Sequence, residues 1–344
     1  TQLFIVDSTV GTANYTIYIT TIFTQNQNLP YLTAINSKIS SLYISSQTNN
    51  GNDNDQLFTM ASISYCNITS AQLLTTAVMT PRGIFHHLVD HSNISSLFTS
   101  STSVSFIANS HMGAFSSVSR PDLYQATYLV FENCTFGSFD AIFGSSISIT
   151  NATISGPLNF GTDVVSSVSR VSFEGQATFK GTDDITDSNF SSTVVVSNTA
   201  AASGSSSFTV RNGIFEGDMK TSGSFRLFNC EIKGSLDSSN GPLGVYIETT
   251  LIRGSWISRN ATGYMASGQY DFTDPRANRA GATVLGDMDL TGCVLQTVEF
   301  HFLDIRGTFR APLAQPAAMF ILMDSLIGDF ALPIPSAPQI RIQN

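Results

Sequence analysis

Apolar and polar residues alternate along most of the chain in short runs rich in Phe, Ile, Val and Thr. Tyr15-Thr16-Ile17-Tyr18-Ile19 and Phe225-Arg226-Leu227 are examples, and Gly, Asn and Ser break the runs every few residues. Neighbouring side chains on a strand point to opposite faces, so this alternation predicts strands with one buried face. Apolar spacing of the helical kind is scarce. The pattern predicts an all-β chain.

The strands repeat loosely. Leu129-x-Phe131-x-Asn133-Cys134-x-Phe136 defines a unit, and Ile147-x-Ile149-x-Asn151-Ala152-x-Ile154-x-Gly156 follows it. Phe208-x-Val210-x-Asn212-Gly213-x-Phe215-x-Gly217 and Phe225-x-Leu227-x-Asn229-Cys230-x-Ile232-x-Gly234 have the same form. Val245-x-Ile247-x-Thr249-Thr250-x-Ile252-x-Gly254 keeps the apolar frame without the Asn, and Met288-x-Leu290-x-Gly292-Cys293-x-Leu295 matches more weakly. Ile63-x-Tyr65-x-Asn67 is an earlier echo. Counted at the second apolar residue, neighbours lie 18 (Phe131 to Ile149), 17 (Val210 to Leu227) and 20 (Leu227 to Ile247) residues apart.

A period of roughly 17–24 residues with several short strands means coils that cannot bury their inward faces alone and must stack. Two inward residues, a polar corner and a further inward residue describe strand, tight turn, strand. Asn tolerates the left-handed conformation such a corner needs. Over about residues 57–310 the pattern resembles a right-handed parallel β-helix of the pectate-lyase-like kind. The competing architecture is a β-sandwich or jelly roll with evenly spaced strands. In the β-helix, Asn133, Asn151, Asn212 and Asn229 form an Asn ladder, with side chains hydrogen-bonded along the stack. Cys134, Cys230 and Cys293 each follow the second apolar residue by three positions, where Ala152 and Gly213 stand elsewhere. That position wants a small residue. At roughly 4.8 Å per rung, Cys134 and Cys230 lie beyond disulfide reach, so all four cysteines are expected reduced.

The domain organisation follows. Residues 1–56 read as a short N-terminal β segment outside the solenoid, closing on a polar loop from Gln47 to Gln56. Residues 57–310 read as the β-helix, with a Ser/Thr/Ala-rich loop at 192–207 and an insertion at about 260–283. Residues 311–344 read as a C-terminal extension: a cap helix between Pro316 and Pro333, then the Pro-rich arm Pro333-Ile334-Pro335-Ser336-Ala337-Pro338.

Charge narrows the function classes. Only 12% of the 344 residues are charged, against about 25% in an average domain, and the net charge is −9. Four lysines (Lys38, Lys180, Lys220, Lys233) do not build the clustered basic surface that nucleic acid requires. The 25 Phe argue against disorder, and no apolar run is long enough for a membrane-spanning helix. Thr1–Asp7 has neither a basic n-region nor a small-residue cleavage site, so the expectation is cytoplasmic synthesis in a host without a signal peptide. Seven Asn-x-Ser/Thr sequons begin at Asn14, Asn67, Asn93, Asn133, Asn151, Asn189 and Asn260.

Candidate chemistry is thin. In His86-His87-Leu88-Val89-Asp90-His91 a helix would bring His87 and His91 together as a metal pair. Among carboxylates, Asp183 and Asp184 are the alternative catalytic pair, with Asp287, Asp289 and Glu231 behind them. Arg211, Arg226 and Arg253 spread over three rungs. Polygalacturonase-like enzymes would show Asn-Thr-Asp, Gly-His-Gly and Arg-Ile-Lys segments, and the sequence has none. Phosphate-binding and nucleophile-elbow motifs are also missing. The expectation is a protein without cofactor, resident metal or catalytic residues.

A charge-poor solenoid rich in Ser, Thr and Asn resembles the spike, fibre and minor capsid proteins of virus particles. That resemblance implies a virion location and contacts with other capsid proteins or with further copies of the chain, as in a homo-trimer. The alternative is a tailspike-type β-helix that binds or cleaves host glycans, with Trp256, Tyr264 and Tyr270 as the wall of its groove.

Overall fold

The computed structural model describes residues 3–19, 32–48, 58–77, 85–100, 103–118, 127–141, 145–162, 164–197, 208–269, 278–314, 317, 319–331 and 340–343. These contain 36 strands and no helix, and the chain divides into two compact units, Thr1–Val171 and Ser172–Asn344. Each unit is a parallel β-solenoid.

In the first unit a rung consists of two strands meeting at one corner residue. The strands before the corner stack in parallel register from Leu3–Val6 through Leu32–Ile35, Phe58–Ser64, Phe85–Asp90, Ser103–Ala108 and Thr127–Glu132 to Ser145–Ile154. Those after it run from Thr9–Ile19 through Lys38–Thr48, Asn67–Ala77, Asn93–Ser100 and His111–Val118 to Thr135–Ala141. Parallel register places equivalent residues one above another, so Val89, Ile107, Phe131 and Ile149 form one inward column. The strands within 1–56 are therefore rungs of the stack rather than a separate segment, because Leu32, Ala34, Ile39 and Leu42 continue its buried columns.

In the second unit a rung has three short strands. Phe225–Phe228, Glu231–Ile232 and Leu236–Asp237 stack on Phe208–Arg211, Ile214–Phe215 and Met219–Thr221 below. Pro242–Glu248, Thr250–Ile252 and Trp256–Ile257 lie above them. Register stacks the aromatic core as well: the rings of Phe173, Phe190 and Phe215 lie 4.6 Å apart with interplanar angles of 4° and 9°. That separation is close to the strand-to-strand spacing of a sheet.

Three expected boundaries move. Thr262–Ser267 is a rung strand between Pro242–Glu248 and Val294–His301. The insertion is thus confined to the stretch between Ser267 and Ala282, clasped by an antiparallel bridge of Gln269 to Arg279. The expected loop at 192–207 contains the strand Val194–Val196, which pairs with Ala177–Phe179 and Met219–Thr221. The cap helix is not formed. Met319–Met323 and Leu326–Ala331 are strands on Val294–His301 and Asp304–Arg310. Phe320 and Leu322 point inward two residues apart, which is strand periodicity in a buried parallel ladder. The Pro-rich arm lies outside the described residues.

Candidate functional site

The recurring polar residues converge at the corner. Its residue holds positive φ on rung after rung: Asp7 (47°), Asn36 (47°), Tyr65 (55°), His91 (47°), Asn109 (49°), Asn133 (52°) and Asn151 (52°) in the first unit. Asp187 (51°), Asn212 (55°), Asn229 (52°) and Thr249 (48°) do the same in the second. All four sequence-predicted ladder residues, Asn133, Asn151, Asn212 and Asn229, are corner residues. On four rungs the corner side-chain amide donates to the corner oxygen of the rung before: Asn36 to Asp7 at 2.6 Å, Asn133 to Asn109 at 3.2 Å, Asn212 to Asp187 at 2.8 Å and Asn229 to Asn212 at 2.9 Å. Asp7 and Asp187 each open a run, as acceptor-only groups should. Asp90, beside the corner, opens the run into Asn109. The Asn109 amide, then His91 at 2.8 Å, hold the Asp90 carboxyl below the usual range.

The next residue carries a second ladder, running inside the wall. Ser37, Ser92, Ser110 and Ser188 are buried and donate to the carbonyl two residues earlier. Cys66, Cys134 and Cys230 do so through Sγ at 3.3 Å. The hydroxyls also accept main-chain N–H groups of the preceding rung, as Ser92 does from Cys66 and Ser110 from Ser92. These cysteines are serine equivalents, not merely small apolar residues. Burial pushes the Cys134 and Cys230 thiols up to about 11, and raises Cys66 as well. All four cysteines are free thiols.

Cys293 belongs elsewhere. It follows Gly292, which stacks with Asn240 and Asn260 at another corner of the second unit. Its Sγ faces the Ser258 carbonyl, and burial pushes this thiol up to about 11. A further turn of the same unit stacks Gly217, Gly234, Gly254, Gly286 and Gly307. The residue after each glycine accepts the next main-chain N–H: Asp218 from Ser235, Ser235 from Ser255, Ser255 from Asp287 and Asp287 from Thr308. The Thr308 N–H and the Arg310 guanidinium, 2.7 Å away, hold the Asp287 carboxyl low.

The other candidates disperse. Asp183 is inward and 1% exposed, whereas Asp184 points outward to Arg211 at 2.5 Å. Neighbours on one strand cannot share a substrate, so the pair is not a catalytic dyad. Asp289 is buried, accepting hydrogen bonds from Thr291 and Arg259, and Glu231 pairs with Arg253. His87 lies on the strand Phe85–Asp90 and faces the core, while His91 turns the corner and stacks on Tyr65 at 5.0 Å. With no helix to align them, His87 and His91 do not form a metal pair. Among the described residues no three His, Cys, Asp or Glu side chains cluster.

Trp256 is fully buried and donates Nε1–H to Ser258 at 3.0 Å, so it cannot wall a groove. Tyr264 is exposed, and Tyr270 lies outside the described residues. Near Asn240, Lys220, Ser222, Asp237 and Ser239 border a shallow hollow of about 180 Å³, smaller than the roughly 300–1,000 Å³ of small-molecule sites. Among the described residues no helix is long and apolar enough to cross a membrane.

No protein-family model, curated protein or solved structure matches the chain. What the structure defines is a class, the parallel β-solenoid, with its recurring polar groups committed to holding rung on rung.

Proposed function

We propose that the chain is a structural component of a virus particle, a minor capsid, spike or fibre protein acting through protein–protein contacts in the virion. The observation that carries this reading is an outward apolar strip on the first unit. Leu88, Phe106 and half-buried Val130 stack in register on successive rungs, with exposed Tyr128 beside them. Outward positions on a solvated sheet face are ordinarily polar, and apolar residues grouped there suit a face covered by a neighbour. Low charge and side chains spent on rung-to-rung bonds agree with a part built for rigidity.

The test is the mass of the purified chain by light scattering, for the parent and for a variant carrying Leu88→Lys and Phe106→Asp. A defined oligomer, or association that grows with concentration and is lost in the variant, supports the proposal. A monodisperse monomer that cleaves glycans overturns it in favour of a tailspike-type enzyme. Association unchanged in a folded variant overturns the role of the strip.

A further inference from the structure

Away from the corner, the inward columns of the first unit switch from apolar to polar for two consecutive rungs. One column reads Leu32, Ala61, His87, Ser105, Leu129, Ile147. The other reads Ile44, Leu73, Thr99, Ser117, Ala141, Phe160. His87, Thr99, Ser105 and Ser117 are each 0–1% exposed. The strand Asn93–Ser100 ends shortly before Ser103–Ala108 begins, so Thr99 and Ser105 each lie toward the end of their strand away from the corner. Register sets Ser117 above Thr99 and Ser105 above His87.

The hydroxyl oxygens of Thr99, Ser105 and Ser117 make no hydrogen bond within the protein. Buried hydroxyls are costly to leave unmade, and native structures satisfy nearly all of them with protein or ordered water. Serine at 105 is also smaller than Leu129 and Ile147, which follow it in the column. A bound water needs little more than its own volume and two to four polar partners.

We infer that Thr99, Ser105 and Ser117, with the His87 imidazole beside them, build an internal hydration site holding ordered water between two rungs. Ala61 and Leu73 close it on one side, Leu129 and Ala141 on the other. The site lies in a different part of the rung from the apolar strip and does not depend on the proposed function.

A crystal structure sharp enough to place solvent tests this directly. The expected result is density within hydrogen-bond distance of at least two of the three hydroxyl oxygens. A lumen without density, or hydroxyls turned onto main-chain carbonyls, overturns the inference. Thermal melts of Thr99→Val, Ser105→Ala and Ser117→Ala give an independent reading. Removing a water-bound hydroxyl lowers the midpoint, by roughly 2–4 °C for a unit of this size. Midpoints that stay level or rise in all three variants mean the hydroxyls were bare, and overturn it too.

Discussion

The side-chain amide of Asn109 donates not to His91, the corner residue of the preceding rung, but to the carboxylate of Asp90, 2.9 Å away. A histidine at the corner offers no carboxyl or amide oxygen, and the residue before it supplies one. The arrangement keeps the ladder into Asn133 supported from below.

The consequence is a pH dependence. Asp90 is held below its ordinary value, first by the Asn109 amide and then by His91. An Asp lowered in the folded state binds fewer protons than in the unfolded chain, whose carboxyl titrates near about 4. The ladder bond to the carboxylate therefore contributes in full above that pH and fades as pH falls through the lower folded value. Asp90→Asn keeps an acceptor for Asn109 and removes the titration. The loss of thermal midpoint between pH 6 and pH 3 should be smaller in the variant than in the parent. An equal loss in both would place the acid sensitivity at other carboxylates.

Substitutions at Asn212 separate backbone strain from ladder chemistry. Asn212 has φ of 55°, donates to Asp187 and accepts from Asn229. Gly relieves the left-handed strain and loses both bonds, so Asn212→Gly should cost about 1–2 kcal/mol in denaturant unfolding. Ala loses the bonds and adds strain, roughly 1–2 kcal/mol more. Asp fills the space but sets a second carboxylate against Asp187, so Asn212→Asp should be less stable than Asn212→Gly at pH 7 and recover on acidification. Equal stability of the Gly and Ala variants would remove strain from the account.

The thiols make a chemical prediction. Three of them are pushed up to about 11 by burial, and the reactive species is the thiolate. Native protein at pH 8 should resist iodoacetamide, and all four cysteines should react after unfolding. Cys134→Ser and Cys230→Ser should change stability by less than about 1 kcal/mol, because Ser110 and Ser188 already fill the same role. Cys134→Val should cost more, since it leaves the Glu132 carbonyl without this donor.

Much of this corner was legible in the spacing of Phe131, Asn133 and Cys134, because an inward column, a left-handed residue and a small donor all constrain residue type. Tyr65, His91 and Arg170 hold the same conformation with φ of 47–55° and no local signal for it. There the stack imposes the backbone, and the sequence has only to tolerate it. Gly292-Cys293 misled for the opposite reason: its local spelling matches the Asn-Cys corner, but loops of unequal length carry it to a different turn. The run from Ala317 to Met323 was ambiguous because a short, wholly apolar segment fits a buried strand and a helix alike. A metal pair of His87 and His91 requires a helix, whereas in the strand the direction of His87 is set by the alternation that buries Val89.

The glycine stack of the second unit gives the sharpest prediction about packing. A Cβ on residue 254 would lie 2.7 Å from the Gly234 carbonyl oxygen and 2.9 Å from the Gly234 carbonyl carbon. Gly254 N–H also donates to that carbonyl at 3.0 Å. The obstacle is main chain fixed by pairing on both sides, so side-chain rearrangement cannot relieve it. Gly286 meets the Gly254 carbonyl oxygen in turn, 2.8 Å from where a Cβ of its own would stand, so displacing one rung disturbs the next. Overpacking a rigid site typically costs about 1–3 kcal/mol, and Gly254→Ala should reach the upper part of that range. Gly11, where a Cβ meets nothing within 4 Å, is the control. Gly11→Ala should be neutral or slightly stabilising through the unfolded chain. Denaturant midpoints of the two variants, measured against the parent, decide the matter: equal effects would mean that the close approach at Gly254 does not constrain the rung.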